Sequence, residues 1–183
     1  MKKAILTTLA VALCYFSAVA QHIYISKNAA VSFFSTTPAE DIEGKSVQGS
    51  SVIDISTRNI IFKVANTSFQ FQKKLMQEHF NENYMESDKF PASTFKGKIV
   101  ETIDLTKDGT FNVTVAGTLD LHGVSKNYQT KATIIVNQGS ISAKTVFNVK
   151  IADHQIKVPT IVFAKIAEMV EVRISAQYQP KKP

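Results

Sequence analysis

Histidines have the widest chemical reach of any residues in this 183-residue chain, and His22, His79, His122 and His154 lie on separate segments without H-x-x-x-H or H-E-x-x-H spacing. A zinc site would need the fold alone to bring three of them together. Each therefore reads as a surface or pocket-lining histidine. No G-x-S-x-G elbow marks a nucleophile, and no G-x-x-x-x-G-K-[ST] or G-x-G-x-x-G run could cradle a phosphate. Glu40, Asp41 and Glu43 cluster in a segment that reads as a solvated loop, not as a pair of carboxylates set up for acid–base work. The reading is of a protein with no catalytic residue, no metal and no cofactor.

The first 20 residues carry a different signal. Lys2 and Lys3 form a positive start, Ala4 to Phe16 an apolar run, and Ala18-Val19-Ala20 a small-x-small site ahead of Gln21. This is the pattern of a cleavable secretory signal peptide, and the run is short for a spanning helix. Cys14 sits within it behind Leu13, where a lipidated leader would want a small residue. The mature chain is thus expected to lack cysteine and to work outside the cytoplasm, in the periplasm or secreted. It can then have neither disulfide nor thiolate site, so packing and strand pairing must supply its stability.

Setting Lys2 and Lys3 aside leaves 19 Lys and Arg against 15 Asp and Glu, a net charge of +4 instead of +6. About 160 residues bury one sizeable core, so residues 21–183 read as a single domain. The composition excludes collagen-like, disulfide-stapled, coiled-coil and disordered chains. Only Arg58 and Arg173 are arginines, and the lysines never run beyond the pairs Lys73-Lys74 and Lys181-Lys182; this argues against nucleic acid. The mild positive charge is compatible with transient contact with an anionic membrane surface. A homodimer is one assembly that the sequence leaves open.

The elements that must position any site follow from a period of two. Phe111, Val113, Val115, Gly117, Leu119 and Leu121 alternate with Asn112, Thr114, Ala116, Thr118, Asp120 and His122, the mark of a long strand with one wet face. Ile99, Ile103 and Leu105 keep a similar phase before it, and Lys107-Asp108-Gly109 reads as the hairpin turn between two antiparallel strands. A second hairpin runs from Tyr128 to Val136, turns at Asn137-Gln138-Gly139 and returns from Ile141 to Ile151. Further strands are expected at Ile23 to Ser35, Val52 to Ser56, Asn59 to Ala65, Ser68 to Phe71 and Val170 to Tyr178. Eight or nine such strands, each with one apolar face, must stack as a sandwich or close into a barrel.

One segment breaks the pattern. Between Lys73 and Met85, Leu75, Met76, His79, Phe80 and Tyr84 fall at spacings of three and four without Gly or Pro, which predicts a short amphipathic helix placed as a lid or plug. Phe90-Pro91 ends it. A weaker helical turn is expected around Phe163 to Ala167.

Eleven of the twelve phenylalanines follow the leader, and many lie on strand faces. They either fill a core or line a cavity, because an eight-stranded barrel is just wide enough for side chains or for one slender ligand. Composition leaves both open, so a filled-barrel module acting through its surface stands as the alternative to a binding protein.

Two segments resemble a known family. Phe90-Pro91-Ala92-Ser93-Thr94-Phe95-Lys96-Gly97 and Gly117-Thr118-Leu119-Asp120-Leu121-His122-Gly123-Val124-Ser125-Lys126 are similar to the F-P-x-x-x-F and G-x-L-x-x-H-G-V-[ST]-K segments of the exported bacterial YceI-like proteins. The resemblance spans about Phe33 to Tyr178. It implies a mainly β fold, an extended antiparallel eight-stranded lipocalin-like barrel with a short helical insertion. The implied partner is a long-chain lipid such as a polyisoprenoid, held in an apolar tunnel without catalysis. On the apolar phase or the helix, Phe69, Phe71, Leu75, Phe80, Phe95, Phe111, Val113, Leu119 and Phe147 are the candidate ligand-binding residues. His122 falls at a strand end on the polar phase and is assigned a structural role at the turn.

Overall fold

The structure is a computed structural model and describes residues 22–158 and 166–181. The expected signal peptide lies outside the described residues, as does most of the expected turn at Phe163 to Ala167. In chain order the strands are β1 (Ile23–Thr36), β2 (Asp41–Asp54), β3 (Asn59–Ala65), β4 (Gln70–Phe71), β5 (Ala92–Ile99), β6 (Gly109–Leu121), β7 (Val124–Asn137), β8 (Ser140–Lys150) and β9 (Met169–Pro180). All pairings are antiparallel. The ladder runs β1-β9-β8-β7-β6-β5-β3-β2 and returns to β1, so eight strands close into a barrel, with β4 a two-residue addition to β2. Closure answers the edge problem that so many one-sided strands pose.

The turns follow from local chemistry. Gln138 and Gly139 both take positive φ, 47° and 76°, between Asn137 and Ser140, giving the two-residue turn whose twist suits a hairpin. His122 and Gly123 repeat this at 52° and 71° between β6 and β7. The hairpin expected at Lys107-Asp108-Gly109 is different. β5 begins earlier, at Ala92, and residues 100–108 form a loop instead of a strand. Asp104 Oδ1 accepts both the N–H and the hydroxyl of Thr106, a local bond that competes with ladder pairing. Ile103 and Leu105 accordingly fold inward as loop residues, Leu105 2% exposed.

β2 is also longer than its expected stretch and takes in Asp41 and Glu43, which the sequence reads as loop. Its first half, Asp-Ile-Glu-Gly-Lys-Ser-Val-Gln-Gly-Ser, is poor in β-formers, and pairing with β1 and β4 overrides that propensity. The helix is shorter than expected. α1 spans Lys74–His79 and passes into one π-helical turn at Phe80–Tyr84.

The barrel has two levels. At the end formed by the start of β1, the end of β5 and the β7–β8 turn, Tyr24, Ile99, Leu105, Val113, Val136 and Ile141 pack into a solid plug, with Ile103 and Phe111 against it. The helical insertion and the His122–Gly123 turn lie at the opposite end.

Candidate functional site

Above the plug the barrel is hollow, with a cavity of about 520 Å³. Seven of the nine candidate residues line it: Phe69, Phe71, Leu75, Phe80, Phe95, Leu119 and Phe147. Leu75 is 60% exposed and stands at the rim. Phe111 and Val113 do not line it. They keep the inward phase of β6 and pack with the plug, Val113 1% exposed, although their partners across the ladder, Ile134 and Ala132, line the cavity. Period two gives the face of a strand and says nothing of depth along the barrel.

Many lining residues escaped the sequence reading, among them Val31, Ile53, Phe62, Val172 and Ile174. Each sits on the inward phase of a strand that was recognised, so the alternation could have found it.

Glycine keeps the lumen open. A Cβ on Gly44 would stand 2.4 Å from the ring of Phe33, its partner across β1 and β2, and 3.0 Å from that of Phe71. The Phe33 ring thus lies over bare backbone, flat against the wall. Gly97 and Gly117 face one another across β5 and β6 and receive Phe95 in the same way, a Cβ on either falling within 2.5 and 2.7 Å of its ring. Rings that lie along the wall leave the axis free, as aromatic side chains do when they cover sheet glycines.

At the mouth Phe33, Phe69, Phe71 and Phe80 form one cluster, with ring centroids 5.1–5.7 Å apart. This spacing suits tilted and offset aromatic pairs. Phe80 arrives from the π-helical turn, so the insertion closes over the opening with an aromatic, while Lys73, paired with Glu40 at 3.2 Å, stands on the lining beside it.

The polar groups near the lumen are spent on one another. Ser51 Oγ donates to the carbonyl of Ile61 and lies 2.8 Å from the Tyr178 hydroxyl, whose pKa burial pushes up. Asn66, fully buried, donates through Nδ2 to the Phe90 carbonyl at 2.6 Å and accepts from Ser93 at 2.7 Å. The Tyr128 hydroxyl meets Nε2 of His154 at 3.0 Å, and burial raises its pKa, with the Asp153 charge adding to this. Among the described residues no buried side-chain nitrogen or oxygen lacks a partner. The cavity therefore offers a guest apolar surface and few free hydrogen bonds, which favours a chain over a polar molecule.

His122 acts as the tie its motif implies. Its Nδ1 lies 3.1 Å from the His154 carbonyl oxygen and its Nε2 3.1 Å from Glu86 Oε2, and its ring packs on Phe90. Lys89, and after it His122, hold the Glu86 carboxyl below the usual carboxylate range. The turn, the end of the helical insertion and the segment after β8 are thus fastened together beside the cavity. His154 is itself buried, donating through Nδ1 to the Val124 carbonyl at 2.9 Å. No cluster of three or more His, Cys, Asp or Glu able to hold a metal occurs among the described residues.

With this geometry in view, comparison with known proteins is specific. The model of the YceI-like domain matches residues 18–178. A polyisoprenoid binding domain from Saccharophagus degradans, implicated in plant cell wall breakdown, superimposes with a TM-score of 0.74 at 16% identity, covering 88% of this chain and 99% of that one. BcnA of Burkholderia cenocepacia gives 0.68 at 16% identity, over 81% and 95% of the two chains. The YCEI protein of Campylobacter jejuni gives 0.60 at 20% identity, over 76% and 85%. At these identities the structures share the fold. No curated protein matches the chain.

Proposed function

The chain belongs to the YceI-like domain family, and on that premise we propose that it is a non-catalytic binding protein that takes up a long-chain lipid of isoprenoid or similar amphiphilic type. The observation that carries this reading is the cavity of about 520 Å³, walled by phenylalanine and aliphatic side chains while nearby polar groups bond to one another. The polyisoprenoid binding domain that shares the fold points to the same ligand class. A filled-barrel module is less favoured, because only the plug end is solid.

The energetics need no reactive group. Burying a tail of about ten methylenes yields about 8 kcal/mol gross. Loss of translational freedom and ordering of the chain cost several kcal/mol of this, so a somewhat longer tail reaches micromolar binding. The tail would lie along Phe95, Leu119 and Phe147 with its polar head near the mouth. The signal-peptide pattern at residues 1–20 supports a place outside the cytoplasm, in the periplasm, where such a carrier would sequester or shuttle its lipid.

Displacement of a fluorescent long-chain probe tests the reading. The wild type should bind one probe per barrel, and Phe147→Asp, which sets a charge on the cavity wall, should fold and bind at least about tenfold more weakly. A folded Phe147→Asp with undiminished binding contradicts it.

A further inference from the structure

The ladder between β7 and β8 is incomplete. The strands pair from Asn137 with Ser140 as far as Ala132 with Thr145 and then stop, although β7 reaches back to Val124 and β8 on to Lys150. Beyond that point β7 continues its ladder with β6, and β8 with β9. The wall therefore contains a seam between two facing strand edges. Unpaired edges are what a barrel exists to abolish, so a seam inside one calls for a reason.

Side chains bridge it. Tyr128 on β7 lies edge to face with Phe147 on β8, ring centroids 6.0 Å apart, and stacks on His154 of the 3₁₀ turn Ile151–His154 that follows β8. Thr130 reaches the Val146 carbonyl at 3.2 Å. Tyr128, Thr130, Phe147 and Val149 also line the cavity, so this part of its wall is built of side chains instead of a paired sheet. Rotating one ring moves far less structure than parting a ladder.

Around the seam one apolar side chain and four lysines are exposed, Lys126 on the phase of Tyr128 and Lys144 reaching the cavity lining. Val146 is 52% exposed, and Lys126, Lys131, Lys144 and Lys150 are exposed on the two strands. None of the four forms an ion pair among the described residues; Lys131 donates to Thr114 Oγ1. Of the nearby carboxylates, Glu171 is held by Arg173, the residue paired with Val146, Asp153 lies in the 3₁₀ turn, Glu101 stands by Lys131 at Thr114, Glu168 precedes the partner of Lys150, and Asp120 pairs with Ser125 beside Lys126. Lys126, Lys144 and Lys150, held in no ion pair among the described residues, stand around an exposed apolar spot and are free to meet the head groups of an anionic bilayer surface.

We infer that the seam is a lateral portal which docks on an anionic phospholipid surface and through which a lipid tail passes between bilayer and lumen as Tyr128 swings aside. A tail entering sideways stays in apolar surroundings for the whole passage, with no exposure to water on the way. The inference rests on the lipid-binding reading above.

The test uses phosphatidylglycerol and phosphatidylethanolamine vesicles that carry a fluorescent long-chain probe. Gln129 and Asn148 are exposed on the two unpaired stretches. Replacing both with cysteine and joining them with a bis-maleimide should slow probe uptake at least about tenfold, as closing a gate does, while each single-cysteine variant given the same reagent keeps the wild-type rate. Separately, Lys126→Gln, Lys144→Gln and Lys150→Gln together should weaken vesicle binding about a hundredfold. Wild-type loading by the joined protein, or wild-type vesicle binding by the triple variant, overturns the portal and leaves the carrier standing. Absence of uptake by the unmodified protein from vesicles and from detergent solution removes the carrier reading itself.

Discussion

The rings of Phe90 and His122 lie 4.6 Å apart, centroid to centroid, tilted by 58°. Each belongs to one of the two motifs that carry the family resemblance, so segments distant in sequence meet at one point. Gly123 completes the contact: it takes φ of 71°, and a Cβ there would stand 2.4 Å from Phe90 Cε1. The two motifs thus meet as a clamp at the open end.

Gly123→Ala should therefore destabilise the protein by more than Gly139→Ala. Both glycines have positive φ, but nothing lies within 4 Å of a Cβ on Gly139. The left-handed backbone alone costs an alanine about 1–2 kcal/mol; overlap with the Phe90 ring adds about 1–3 kcal/mol at Gly123. Urea denaturation of both variants measures the difference, and equal losses would show that the clamp is slack.

Gly44→Ala should act on the cavity before the fold. The atoms nearest its Cβ belong to the Phe33 and Phe71 side chains and not to backbone. The added methyl pushes Phe33 off the wall into the lumen. Probe capacity should drop while the far-UV spectrum stays that of the wild type; unchanged capacity would mean that the rings have room elsewhere.

The two levels of the barrel should separate by mutation. Ile99, fully buried in the plug and absent from the cavity wall, should cost about 2–5 kcal/mol when cut to Ala and leave ligand stoichiometry intact. Ala143 faces the lumen, and Ala143→Phe should fill it, removing binding with little loss of stability. Denaturation midpoints and probe titration of the two variants give the double dissociation.

Asp54 predicts part of the acid limb. It closes the turn after β2 by accepting from the N–H and hydroxyl of Ser56 and the N–H of Thr57. These bonds, the Ser56 hydroxyl first, lower its pKa from 3.8 to about 2. A depressed carboxylate stabilises the fold above its unfolded pKa, and that contribution fades as pH falls from 3.8 towards about 2. In a melting-temperature profile, Asp54→Asn should have a flatter slope in that window and no change in slope above pH 5.

The sequence carried the architecture further than the site. Alternation along Phe111 to Leu121 and the turn at Gln138-Gly139 are local signals, and both strands form where they were expected. β2 was half hidden, because its Gly- and Ser-rich start becomes a strand only through its neighbours. Strand phase likewise showed that Phe111 and Val113 point inward but not the depth at which they pack, with the plug and off the cavity wall. That depth is set by register around a closed barrel, a relation among eight strands that no single segment contains. The glycines under Phe33 and Phe95, the aromatic cover from Phe80 and the missing rungs between β7 and β8 are of the same kind.

The most direct measurement is native mass spectrometry of protein purified from the cells that make it, followed by organic extraction and identification of what is released. A stoichiometric long-chain lipid in the barrel is the predicted result. A clean apoprotein that also takes up no lipid from vesicles would contradict the account.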